Sequence, residues 1–253
     1  MRLSLVLAIT LAAAHADAHV APAVGDNNRY LKLTPLGDRI RLAYTVFYGE
    51  VPGATMRQTI DANRDGAIDD SESQAFGDRL SREIAAALEI TIDGVHQPVA
   101  WSQIVVGLAT PRTAAGAFSV DLVAWLCLAS PRGKHTVLLR DDFKLARPGE
   151  TEVKVEDSPG VTINASRIGG AEDEAHDYNL VGPSGALHTE GLDLEFTAGD
   201  KSVVAADATC GDPAPHRSLP AAVIVGAAVA TAFGLAGIVA LVLRRRGSRR
   251  GRS

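Results

Sequence analysis

The sequence predicts a mainly β, sandwich-like domain with an inserted helix–loop–helix and one C-terminal membrane-spanning helix. Three observations predict it. Short runs of alternating apolar and polar residues recur between Pro- and Gly-rich turns. A single helical stripe interrupts them beside an Asp-rich loop. A run of 25 residues without charge, 219–243, lies near the C-terminus.

The ends come first. Residues 3–14 form an apolar run behind Arg2, followed by Ala14-His15-Ala16 and Ala16-Asp17-Ala18. The run is too short to span a bilayer and suits a signal peptide covering 1–18. As a helix, residues 219–243 would be about 37 Å long, enough to cross a hydrocarbon layer of about 30 Å. Arg244, Arg245, Arg246, Arg249, Arg250 and Arg252 follow at once. Basic flanks stay cytoplasmic, so tail 244–253 is expected inside and the domain at 19–206 outside, joined by linker 207–218. Small residues Gly226, Ala230 and Gly234 share one face of the span and leave room for a protein partner in the membrane.

Within the domain, Ile40, Leu42, Tyr44, Val46 and Tyr48 alternate with polar or smaller neighbours, which reads as a strand. Pro52 fits the start of a short helix ending at Ile60. Phe76, Leu80, Ile84 and Leu88 recur every four residues, so 71–88 reads as an amphipathic helix. Ile90-Thr91-Ile92 before Asp93-Gly94 and Val95 suggests a two-residue hairpin, with Pro98 confining the second arm to an edge. Further strands are expected at 103–108, 117–129, 134–139, 151–156, 161–165 and 192–196. The polar, Gly-rich stretch 169–191 reads as a loop.

Residues 61–72 carry the chemistry: Asp61-Ala62-Asn63-Arg64-Asp65-Gly66-Ala67-Ile68-Asp69-Asp70-Ser71-Glu72. This is the twelve-residue EF-hand pattern. Calcium is a hard cation that takes six to eight oxygens. Asp61, Asn63 and Asp65 offer alternate side-chain oxygens, Ala67 its carbonyl, Asp69 a direct or water-mediated contact, and Glu72 both carboxylate oxygens. Gly66 permits the sharp turn, and Ile68 can pin the loop to a core. Five acids against one Arg repel one another unless a cation intervenes. A solvated acidic turn would explain the acids and the glycine. It would not explain Ile68, Glu72 or the helical stripe that follows. No second loop of this pattern occurs, so calcium is expected to be a structural clip rather than a sensor.

Charge narrows the function classes. Residues 19–218 hold 18 Lys plus Arg against 29 Asp plus Glu, a formal balance of −11. That sign speaks against nucleic acid as a partner. The sequence contains no Gly-x-Ser-x-Gly, no phosphate loop, no His-Glu-x-x-His and no Cys-x-x-Cys, so a binding role is expected rather than an enzyme. Export would place Cys127 and Cys210 in an oxidising compartment that permits a disulfide; the sequence leaves the bond open.

Several short segments carry a resemblance: Ala18-His19, Asn28-Arg29-Tyr30, Asp38-Arg39-Ile40-Arg41-Leu42-Ala43-Tyr44, Glu50-Val51-Pro52 and Arg140-Asp141-Asp142-Phe143. Over roughly residues 19–156 the chain resembles the extracytoplasmic domain ahead of the multi-span module in bacterial nickel/cobalt-transporter-like proteins. His19 precedes Val20, where that family has His-Pro, and one expected span stands in place of the module. The resemblance therefore implies an alternative role as an accessory subunit of a transition-metal transport system, without transport itself. The tail also resembles bacterial sorting signals. A sorted surface protein with a cleaved tail is a further alternative, although Leu219-Pro220 lacks the Thr-Gly of a sortase site.

Overall fold

A computed structural model describes residues 24–168, 171–173, 179–180, 186–189 and 191–202. The expected signal peptide (1–18), linker (207–218), membrane span (219–243) and basic tail (244–253) lie outside the described residues. Among those described, no helix is long and apolar enough to cross a membrane.

Two six-stranded sheets form the domain. The first contains β1 (Asn27–Pro35), β2 (Arg39–Tyr48), β5 (Trp101–Gly107), β6 (Phe118–Cys127), β8 (Pro148–Val155) and β11 (Asn179–Leu180), in the order β11-β8-β1-β2-β6-β5. The second contains β3 (Leu88–Ile92), β4 (Val95–His96), β7 (Gly133–Asp141), β9 (Val161–Ile168), β10 (Ala171–Asp173) and β12 (Leu192–Ala198), in the order β10-β9-β12-β7-β3-β4. Apart from the parallel pair β1–β8, the described ladders are antiparallel. The inward residues of both sheets share one core. Leu31, Leu33, Leu42, Tyr44 and Leu122 come from the first; Ile90, Leu139, Leu194 and Phe196 come from the second. The expected sandwich-like architecture is therefore present.

Period two explains which residues enter that core. Along β2, Ile40, Leu42, Tyr44 and Val46 are fully buried, while Arg41, Ala43, Thr45 and Phe47 are half-buried on the other face. The hairpin at Asp93-Gly94 forms as expected. Both residues have positive φ, 52° and 78°, the conformation of a type I′ turn. β4 is two residues long and lies at the sheet edge, as Pro98 requires.

One strand goes beyond those expected, and one expectation needs correction. The chain before β2 is itself a strand: Leu31 and Leu33 of β1 are buried, and the turn at Leu36 returns into β2. Lys32 and Thr34 supply the alternation, but Pro35 and Gly37 punctuate it early. The stretch 169–191 is not a plain loop, since β10, β11 and a four-residue helix α3 (Ala186–Thr189) interrupt it. Each is too short for a periodic signal, and each exists by pairing with or packing on β9, β8 or β7.

Helices α1 (Glu50–Ile60) and α2 (Asp70–Ala87) are inserted between β2 and β3. The apolar stripe of α2 enters the core through Phe76, Leu80 and Ile84. Gly77 brings α2 close to β5, where an added Cβ would stand 3.0 Å from Ile104 and 3.1 Å from Val106. Trp101 Nε1 donates to the Ser81 carbonyl of α2 at 2.8 Å. α2 is thus fixed to the first sheet, and α1 packs against α2.

Candidate metal centre

The loop at 61–72 begins where α1 stops. Asp61 is 7% exposed and caps α1, its N–H reaching the Arg57 carbonyl. Its carboxylate turns back into the loop. Oδ1 accepts from the Asp65 N–H at 3.2 Å and Oδ2 from the Gly66 N–H at 3.0 Å. Asn63 Oδ1 also accepts from Asp65 N at 2.8 Å, and Asp65 Oδ1 accepts from Ala67 N at 2.9 Å. These short-range bonds wind the chain around its own acidic side chains. Gly66 has φ +88°, in the region that favours glycine, with open space where a Cβ would stand.

The far end of the loop is closed by α2. Asp69 and Glu72 form a capping box: Asp69 Oδ1 accepts from Glu72 N at 2.8 Å and Glu72 Oε2 from Asp69 N at 3.1 Å. Glu72 also reaches across the loop, where Oε1 accepts from Ala62 N at 2.8 Å and Asn63 N at 3.2 Å. One carboxylate therefore joins the second, third and ninth loop positions to the start of α2.

The middle of the loop is anchored by residues that the sequence does not point to. Ile68 is 3% exposed and joins the core. Its N–H donates to the Pro111 carbonyl at 2.7 Å, and Thr113 N and Oγ1 both donate to the Gly66 carbonyl at 3.1 Å. Ala67 and Arg112 form an antiparallel bridge. The strap at 108–117, between β5 and β6, is held in turn by Arg57 of α1. That buried guanidinium donates to the carbonyls of Leu108, Thr110, Arg112, Gly116 and Ala117 at 2.5–3.3 Å. No sequence pattern marks Arg57 or Thr113; only the tertiary fold brings them to the loop.

The loop thus brings Asp61, Asn63, Asp65, Ala67, Asp69 and Glu72 into one closed hydrogen-bonded turn. Among the described residues, no group of three or more His, Cys, Asp or Glu is gathered for a metal ion. The side-chain oxygens of Asp61, Asn63, Asp65, Asp69 and Glu72 accept from the loop's own N–H groups. In donor chemistry the set suits a hard cation: carboxylate, amide and backbone oxygens, without nitrogen or sulfur ligands. An ionised carboxylate has about four acceptor sites, so the N–H bonds leave lone pairs unused.

Elsewhere, two polar clusters are structural in form. Arg29 Nη1 meets Asp141 Oδ2 at 2.6 Å, and the Tyr44 hydroxyl donates to the same oxygen at 2.8 Å. Burial pushes the Tyr44 hydroxyl well above its usual range, reinforced by Asp141, which keeps it protonated as a donor. This contact joins β1, β2 and the end of β7. His135 is buried, with Nδ1 2.8 Å from Asp93 Oδ2 and Nε2 without a hydrogen-bond partner among the described residues. Cys127 is disulfide-bonded; Cys210, the other cysteine of the sequence, lies outside the described residues.

No family model matches the chain, and no curated protein matches it. Among solved structures, an M1 zinc metallopeptidase from Deinococcus radiodurans is similar at 12% identity and a TM-score of 0.19. The match covers 69% of this chain and 42% of that one. At that level it carries no argument about fold or activity.

Proposed function

We propose that this protein is a membrane-anchored, extracytoplasmic calcium-binding protein in which calcium acts as a structural clip. One observation carries the reading: a twelve-residue loop with oxygen donors at every EF-hand position is wound around its own acids and docked to the sandwich. Asp61, Asn63, Asp65 and Glu72 would hold the ion through side chains, Ala67 through its carbonyl, and Asp69 directly or through water. The ion would supply positive charge to a loop in which Asp61, Asp65, Asp69 and Glu72 accept from backbone N–H groups. Its binding would stabilise the folded state by mass action. The membrane anchor rests on residues 219–243 and the arginines behind them.

Calorimetric titration of the detergent-extracted full chain tests this. The expected result is one calcium ion per chain, bound in the range of about 10⁻⁴–10⁻³ M typical of extracellular modules. Melting temperature should rise with calcium, and Glu72→Gln should remove both effects. Absence of heat and of thermal stabilisation at millimolar calcium would refute the reading. Saturable binding of nickel or cobalt instead would favour the metal-transport accessory role.

A further inference from the structure

EF-hand loops commonly stand beside a second loop that pairs with their central residues. Here the central residues pair with something else. The bridge between Ala67 and Arg112 is flanked by Ile68 N to Pro111 O at 2.7 Å and Thr113 N to Gly66 O at 3.1 Å. In extended chain, a residue's own N–H and C=O project to one side and those of its neighbours to the other. The Gly66 carbonyl and the Ile68 N–H therefore face the strap on either side of Ala67, which turns its own groups toward the loop acids. The bond from Ala67 N to Asp65 Oδ1 at 2.9 Å agrees with that direction. The strap thus orients the carbonyl at the seventh position.

The strap itself has little regular structure, so its shape depends on Arg57. Five carbonyls from Leu108 to Ala117 converge on one guanidinium, whose planar array of N–H donors matches that count. The guanidinium also lies over the Phe118 ring, 5.2 Å from its centroid. Arg57 sits one helical turn before Asp61, so α1 positions both the first loop acid and the strap that orients the seventh carbonyl.

We propose that residues 108–117 are a built-in partner for the calcium loop, and that Arg57 is the positioning residue that holds them. This rests on the calcium reading of the loop. The site then works alone, with one-site binding and no calcium-driven association between chains. Outer partners of metal ligands typically change affinity by about 10- to 100-fold when altered. Arg57→Lys keeps the charge but loses the planar array of donors, and Thr113→Val removes one hydroxyl at a half-exposed position.

The test is calcium titration of the full chain carrying Glu72→Gln, Arg57→Lys, Thr113→Val or Thr113→Ser, with calcium-free melting measured in parallel. The expected dissociation constant rises about 10-fold for Arg57→Lys and a few-fold for Thr113→Val. Thr113→Ser should restore it, and Thr113→Val should leave calcium-free melting unchanged. Should Arg57→Lys fail to fold, the two Thr113 variants decide. Wild-type affinity in Arg57→Lys and Thr113→Val, with binding abolished by Glu72→Gln, would overturn the strap and leave the calcium site standing. Calcium-driven dimerisation in sedimentation would also overturn it. No binding by the unaltered chain would remove the site itself.

Discussion

Asp93 shows how much one side chain can be asked to do. It holds a positive φ at the β3–β4 turn, accepts from Thr136 N at 2.9 Å and meets His135 Nδ1 at 2.8 Å. Burial pushes its carboxyl up, but the bonds from His135 and Thr136 outweigh this and leave it below the ordinary 3.8. A depressed carboxyl contributes stability that is present above its unfolded value and lost as pH falls through the folded one. Asn tolerates the same backbone conformation, so Asp93→Asn removes the charge and spares the turn. The variant should be less stable at pH 7, by under about 1 kcal/mol because the carboxylate is partly solvent-facing. In urea unfolding, that deficit should persist above about pH 5 and shrink below pH 4 as the parent loses its carboxylate. A deficit independent of pH would mean that shape rather than charge is responsible. The Asp-Gly signal made the turn legible in the sequence; the partnership with His135, 42 residues away, was not.

At the scale of elements, the two helices and the loop were legible because their signals are local. Pro52, the four-residue stripe and the loop pattern all act within a few turns of chain. β1 and the strands within 169–191 were not legible, because their existence depends on ladders formed with distant partners. The packing of α1 on the strap gives a test at this scale. A Cβ on Gly53 would stand 2.7 Å from the Gly116 carbonyl oxygen, a backbone atom that cannot rotate away. The neighbours of Gly77 are side-chain methyls. Gly53→Ala should therefore destabilise by about 1–3 kcal/mol through overpacking, despite Ala's better helix propensity. Gly77→Ala should stay within about 1 kcal/mol of the parent, as Ile104 and Val106 yield and the helix gains propensity. Urea unfolding of the two variants checks the order; equal effects would show that the strap moves as freely as the methyls.

Across the whole molecule, the two sheets are joined by more than apolar contact. Arg29 of β1 and Tyr44 of β2 both bond Asp141, which ends β7 in the opposite sheet. Asp141 Oδ1 also accepts from Phe143 N at 2.9 Å, and Arg29 Nη1 donates to the Phe143 carbonyl at 3.3 Å. Asp141→Ala would leave a buried guanidinium without its carboxylate. Such a break costs about 3–5 kcal/mol, a large part of the stability of an ordinary domain. Urea denaturation should show this loss with residues 61–72 unaltered. A loss under about 1 kcal/mol would mean that water or the Phe143 carbonyl suffices for Arg29.

What the sequence determined by itself was local: strand and helix periods, the Asp93-Gly94 turn, the acidic turn from Asp61 to Glu72 between two helices, and the apolar and basic composition near the ends. Each depends on residues within about one helical turn or a few strand positions of one another. Tertiary structure alone decided the sheet order, the Arg29–Asp141 contact and the pairing of Ala67 with Arg112. These bring together groups tens of residues apart. Backbone donors and acceptors are the same at every position, and Arg29 stands 112 residues from Asp141, so no local pattern announces which distant partner will satisfy either.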